Sequence, residues 1–218
     1  MFKTILTRCS QFALNKATIL WVPLPKILDT DDLVYPFRFD IVTRERFLSF
    51  YDANRKLYEN DSSTFFAKAL DSSYFKFFKA IPAAHGWVAR KHGGSLSMEE
   101  LFAIRGTAFI ELYDSISKDG YRRELGGVTL KCPWSIDGDS YGQQFFLGDG
   151  CHRLAILRHL RGTQLERSFF HRKFLYRAHA RNNTLTMAEK GALSAEDVAC
   201  LKEKCPSVDF IQKMYSEK

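Results

Sequence analysis

The sequence predicts an α+β fold: a small mixed sheet with packed helices and a helical insertion. Three observations predict it. The runs "GGVTLKCPW" (126–134) and "QFFLGDG" (144–150) are apolar or β-branched and bounded by glycine or proline, as strands are. Residues 43–80 repeat aromatic pairs at three- and four-residue steps, which is the period of a helix. The elements then run strand, helical insertion, helix, strand, strand, helix, strand, helix, an order without the regular alternation of a parallel α/β sheet.

A chain of 218 residues can hold one core with an embellishment. The expected organisation is a single domain over 1–218. Its core spans 18–40 and 101–180, with a helical insertion at 41–100 and a helical tail at 181–218. No internal repeat or low-complexity segment interrupts it.

In order, residues 18–24 are β-branched and apolar, closed by Pro23 and Pro25, and read as the opening strand. The stretch "DTDDLVYPFRFD" (29–40), with Pro36 as breaker, reads as a loop with short extended pieces. Within 43–80, Asp61-Ser62-Ser63 and Asp71-Ser72-Ser73 read as cap-like punctuation, and the aromatic stripe reads as a core face. Residues 83–97, "AAHGWVARKHGGSLS", read as a loop, with His85, Arg90, Lys91 and His92 either lidding a phosphorylated ligand or lying in solvent. From Ser97 a capped helix begins, with Ser97 and Glu100 at capping-box spacing. A helix follows over 109–121 with Gly120 as its stop. Strands at 126–134 and 144–150 flank a turn at 135–143. A helix over 151–161 ends at Gly162, 165–178 has β-character at its centre, and 194–204 is the one clear helix of the tail, started by Ser194 and Asp197.

The formal net charge of +7 favours acidic partners: nucleotides, phosphorylated substrates, nucleic acid or an anionic surface. Five cysteines, an odd count with no C-x-x-C pair, argue against a disulfide framework and zinc and for a reduced, cytoplasmic setting. No apolar run reaches the roughly 18 residues of a membrane span. The first 28 residues carry Lys3, Arg8, Lys16 and Lys26 and no acid, but "ATILWVPL" reads as a domain strand rather than a targeting signal.

The chemistry concentrates at "GDGCHR" (148–153), where a strand meets a helix. Gly148 and Gly150 permit positive φ and close approach of a ligand. The N–H groups of the next turn and the helix dipole favour an anion. Arg153 can grip a phosphate, and His152 adds a donor. Asp149 repels phosphate unless it binds Mg²⁺, orients a neighbour or contacts a hydroxyl. Cys151, near a helix N-terminus, is placed for raised reactivity. His159 and His171 have no ligand-like pairing, so a histidine metal site is not expected.

The segment "FFLGDGCHRLAILRHLRGTQLE", preceded by "ELYDSISKDGY" and "GVTL", resembles the ParB N-terminal-like/sulfiredoxin superfamily. Leu112, Ser115, Ile116 and Gly120 match its "L-x-x-S-I-x-x-x-G" helix. Asp149, Gly150, His152, Arg153 and Ala155 match its "D-G-x-H-R-x-x-A" turn, and "WVPLPKI" (21–27) looks like its opening strand. The match covers 109–165, with weaker support at 18–40. The resemblance implies a ParB/sulfiredoxin-like fold, nucleotide phosphates held at the turn, and Ser115 facing it, as a nucleotide contact or as packing.

Three functions follow from the resemblance. The nearest in motif is the free serine kinase-like branch. It implies ATP or ADP with Mg²⁺ near Asp149, a small-molecule acceptor, and one of Asp29, Asp31 and Asp32 as general base, although that branch carries Glu there. A ParB-like nucleotide-binding, DNA-associated protein is the alternative. The tail offers no second recognition helix for it, but Arg167, Arg172, Lys173, Arg177 and Arg181 interleave with Phe169, Phe170, Phe174 and Tyr176. The third is a sulfiredoxin-like oxidoreductase using Cys151, which Asp149 opposes because a carboxylate disfavours a neighbouring thiolate.

Overall fold

The computed structural model describes residues 24–92, 94–136, 145–178 and 182–216. In chain order its elements are β1 (Ile27–Asp29), α1 (Asp31–Val34), α2 (Asp40–Ala53), α3 (Arg55–Asn60), α4 (Ser62–Ala69), α5 (Ser73–Ala80), α6 (Pro82–Lys91), α7 (Met98–Asp119), β2 (Val128–Ile136), β3 (Phe146–Asp149), α8 (Cys151–Arg161), β4 (Gln164–Glu166), β5 (Phe170–Ala178), α9 (Asn183–Glu189), α10 (Ala195–Lys204) and α11 (Asp209–Ser216). The protein is α+β and divides into two compact units, Met1–Val34 with Tyr121–Arg181 and Tyr35–Gly120 with Asn182–Lys218. The first unit holds β1 to β5 with α1 and α8, and the second, helical unit holds the remaining helices. The segment 101–120, expected in the core, joins the insertion and nearly all of the tail in the helical unit.

In the first unit β2 lies between β3, antiparallel, and β5, parallel, while β1 pairs antiparallel with β4. β2 alternates as a half-buried strand should: Val128 and Leu130 are buried, Thr129 and Lys131 are half-buried. Leu154, Ala155, Ile156 and Leu157 bury one side of α8, which packs on β2 and β4. The expected strand at 18–24 falls outside the described residues up to position 23, and the first described strand lies downstream at β1.

The stretch from Asp29, expected as a loop, instead ends β1 and turns into α1. The reason is local. The Asp29 carboxylate accepts the Asp31 N–H at 2.9 Å, and the Thr30 carbonyl accepts Leu33 and Val34 at 3.1 and 3.2 Å. Leu33 and Val34 then become buried. Buried Thr30 donates its N–H and hydroxyl to the Thr163 carbonyl, at 2.9 and 2.7 Å, tying α1 to the chain after α8.

The helical unit has an aromatic core, with Phe47, Phe65, Tyr74, Phe77, Phe78, Phe102 and Phe109 buried. The Phe47 ring lies 5.0 Å from Tyr74, 5.9 Å from Phe102 and 6.1 Å from Phe109. Asp61 caps α4 through Thr64 N–H, and Ser72 caps α5 through Phe75 N–H. The loop expected at 83–97 is largely helix. Pro82 occupies the first turn of α6, where its fixed φ suits a helix, Val88 is buried, and the chain leaves only at His92. The helices expected from Ser97 and over 109–121 are one continuous helix, α7, opened by the reciprocal Ser97–Glu100 box and closed at Gly120, φ 81°.

Among the described residues the tail holds three helices, where one clear helix was expected. Asn182 caps α9, and the Ser194–Asp197 box caps α10. The tail is fastened by Asn183, whose side chain bonds Asp40, and by Thr184, whose hydroxyl accepts Phe39 N–H. Among the described residues no helix is long and apolar enough to cross a membrane.

Candidate phosphate site at the β3–α8 turn

β3 delivers the chain to Gly150, which is left-handed (φ 87°, ψ 27°) and caps α8 without any side chain of its own. A Cβ there would lie 2.9 Å from both the Gly127 carbonyl oxygen and Val128 Cα, so the position demands glycine on two counts. Gly126 has φ 119° and faces the Arg153 guanidinium, whose Nη2 donates to the Leu125 carbonyl at 3.2 Å.

The loop before β2 is fastened on its other side as well. The Tyr121 hydroxyl accepts Val128 N–H and donates to the Phe169 carbonyl, both at 3.1 Å. Burial pushes the Tyr121 phenol up, against the opposing effect of the Val128 bond and the Arg153 and Arg123 charges. Arg123 donates to the Ser168 carbonyl at 3.2 Å.

Asp149 is exposed, and one carboxylate oxygen accepts Gly150 N–H at 2.7 Å. Cys151, His152 and Arg153 form the first turn of α8, each half-buried. Gly148 is covered by a residue that sequence reasoning missed. The stem of Lys131 crosses it, so that a Cβ at 148 would meet Lys131 Cγ at 2.8 Å and Cε at 3.0 Å. The available signal was the β2–β3 hairpin itself, whose register sets Lys131 opposite Phe146.

α1 packs beside β3 and carries the acids to that strand. The three candidates separate by environment. Asp29 is taken up by Gln164 Nε2 at 2.7 Å and by Asp31 N–H. Asp31 pairs with the buried Arg158 guanidinium at 3.0 Å, which also donates to Thr30 Oγ1 at 2.8 Å. Asp32 is exposed, and its carboxyl is raised by partial burial first and then by the Asp29 and Asp31 charges.

Of the other candidates, Ser115 and His85 belong to the helical unit, whereas the basic stripe belongs to the same unit as the turn. Ser115 is exposed on α7 of the helical unit. His85, on α6, lies with its ring tilted 5.6 Å from that of Phe78 on α5, so it sits on a helix and packs there rather than in a loop. In the basic stripe, Phe170 is buried and Phe169 lies against Tyr121 and under Arg161, so those rings are spent on packing. The side chains at 174–181 are outside the described residues. Among the described residues no group of three or more His, Cys, Asp or Glu is arranged to hold a metal. Asp149 alone suits Mg²⁺ only as one ligand beside phosphate oxygens and water, which is a usual Mg²⁺ arrangement. Comparison of the chain with protein-family models, curated proteins and solved structures finds no match.

Proposed function

We propose that the first unit has a ParB/sulfiredoxin-like fold, holds the phosphates of ATP or ADP at 148–153, and transfers a phosphoryl group to the hydroxyl of a small molecule. The observation that carries this reading is the left-handed Gly150 between strand and helix, with exposed Asp149 before it, Arg153 in the helix turn after it and the Lys131 stem lying over Gly148. A strand–glycine–helix turn directs the helix dipole at an anion. Arg153 has five N–H donors and one described bond to Leu125, so it can serve both the loop and a phosphate. Mg²⁺ held through Asp149 would neutralise phosphate charge.

Asp32 is the base of this reaction because Asp29 and Asp31 have structural partners and Asp32 has a raised carboxyl. It takes the proton of the acceptor hydroxyl as that oxygen bonds to the terminal phosphorus. The P–O bond to the nucleotide breaks, and its electron pair leaves with the shortened nucleotide.

The test is calorimetric titration with ATP, ADP and CTP. The wild type and Cys151→Ser bind ATP or ADP, and Arg153→Ala weakens binding at least ten-fold. Asp32→Asn binds but transfers no phosphate. Absence of nucleotide binding by the wild type overturns the phosphate site. Loss of all activity in Cys151→Ser with an oxidised thiol partner indicates thiol chemistry, and CTP preference stimulated by duplex DNA indicates a partition-type switch.

A further inference from the structure

We infer that α6 and α7 of the helical unit present a docking surface for single-stranded nucleic acid, centred on Trp87. This goes beyond the phosphate site and uses none of its residues. Trp87 is 57 % exposed in a unit whose other aromatic side chains mostly line the core. Its neighbour Val88 is 1 % exposed, so the helix is fixed with Val88 inward and Trp87 outward. Lys91, one turn later, places Nζ 5.6 Å from the indole centroid, and Arg105 reaches it from α7 at 5.9 Å. Arg90 and Lys91 are exposed, and among the described residues no carboxylate forms an ion pair with either.

Arg90 and Lys91 add exposed positive charge beside the ring with no carboxylate ion-paired to either among the described residues, so this surface attracts an anion. The partner must therefore bring negative charge, and it must also bring something flat or apolar for the indole. A nucleotide brings both. Its base stacks on an aromatic face while the phosphates on either side reach Lys91 and Arg105, the arrangement by which sequence-tolerant single-strand sites work. An anionic bilayer is a poorer match, because insertion draws on a broad apolar face and, among the described residues, α6 and α7 expose two large hydrophobics, Trp87 and Ile104. An acidic peptide satisfies the cations and leaves the ring face without a stacking partner.

The experiment is fluorescence anisotropy of a labelled oligonucleotide of about twelve residues, as DNA and as RNA, between about 50 and 200 mM salt. The full chain binds either strand, and binding weakens with salt. Trp87→Ala weakens it about ten-fold, within the range for loss of one stacked base, and Trp87→Phe retains most of it. Lys91→Gln and Arg105→Gln weaken it and flatten the salt slope. Far-UV circular dichroism verifies that each variant keeps its helices. Arg153→Ala binds like wild type, which separates this surface from the phosphate site. The inference is overturned if no oligonucleotide binds at the lowest salt, or if Trp87→Ala binds as tightly as wild type. It is equally overturned if phosphatidylserine vesicles compete the oligonucleotide away in a Trp87-dependent manner, because the surface then belongs to a membrane.

Discussion

Asp40→Asn probes the joint between the insertion and the tail. Asp40 has no exposed surface. Its carboxylate accepts Arg38 Nε at 2.9 Å and Nη2 at 3.1 Å, Arg44 Nη1 at 2.6 Å and Asn183 Nδ2 at 3.0 Å. Burial alone pushes the carboxyl up. The Arg38 and Arg44 charges, with hydrogen bonds from Arg38 and Asn183, outweigh it and hold the group below the ordinary carboxylate range. Arg44 is itself 5 % exposed and lies 4.6 Å over the Phe77 ring, so its charge reaches water only if the core repacks.

Asparagine keeps the shape of Asp40, removes the charge that balances two buried guanidiniums, and turns an NH₂ group toward a donor. Breaking a buried pair in this way costs about 3–5 kcal/mol, a large share of a total stability of about 5–15 kcal/mol. Urea unfolding followed by far-UV circular dichroism at pH 7 measures it. The pH dependence has a definite sign. A carboxyl with a depressed folded pKa stabilises fully above its unfolded value, and the gain is lost as pH falls through the folded value. The gap between wild type and Asp40→Asn therefore holds from pH 7 to about 4 and narrows below. A gap under about 1 kcal/mol at pH 7, or one that does not narrow in acid, refutes the reasoning.

Gly150→Ala combines a left-handed backbone, about 1–2 kcal/mol for a residue with Cβ, with overlap against Gly127 and Val128, about 1–3 kcal/mol. A loss of about 2–5 kcal/mol in denaturant unfolding, together with loss of nucleotide binding, is expected. Tyr113 donates to both Asp52 oxygens at 3.1 and 3.0 Å, and burial followed by that carboxylate pushes its phenol to about 12. Its stabilising contribution is present below the ordinary tyrosine value and lost as pH rises to about 12, so Tyr113→Phe flattens the alkaline limb of thermal stability against pH. Carbon-13 NMR titration of the carboxyls places Asp32 above the ordinary aspartate value. It places Asp61 at about 2, held down by hydrogen bonds from Thr64 first and Ser63 next. An Asp32 that titrates at or below the ordinary value removes it as the base.

Features that act over one helical turn were legible in the sequence. Ser97 with Glu100, Ser194 with Asp197, Asp61 and Ser72 all cap where a short polar side chain can reach a first-turn N–H. So was the β3–Gly150–α8 turn, because glycine, strand period and helix period meet within a few residues. α6 was hidden because His85, Gly86 and His92 read as loop residues, while its burial rests on Val88 and on packing against α5 and α7. The same limit hid Lys131, whose role depends on the hairpin register, and the distinction among Asp29, Asp31 and Asp32. That distinction is made by Gln164 and Arg158, more than a hundred residues away.

The interleaving of the two units bears on the order of events as the polypeptide emerges from a ribosome. β1 is made early, but its partner β4 and the Thr30–Thr163 bond, which spans 133 residues, wait for most of the chain. The Asp40–Asn183 bond of the helical unit spans 143. Closing such spans adds little to the equilibrium cost, since loop entropy grows only with the logarithm of length. It does place them among the late, non-local contacts that slow folding. The first unit has all its residues once Arg181 is made, whereas the helical unit still lacks 182–218, so a stop codon near position 181 would remove the groups that seat the helices synthesised first.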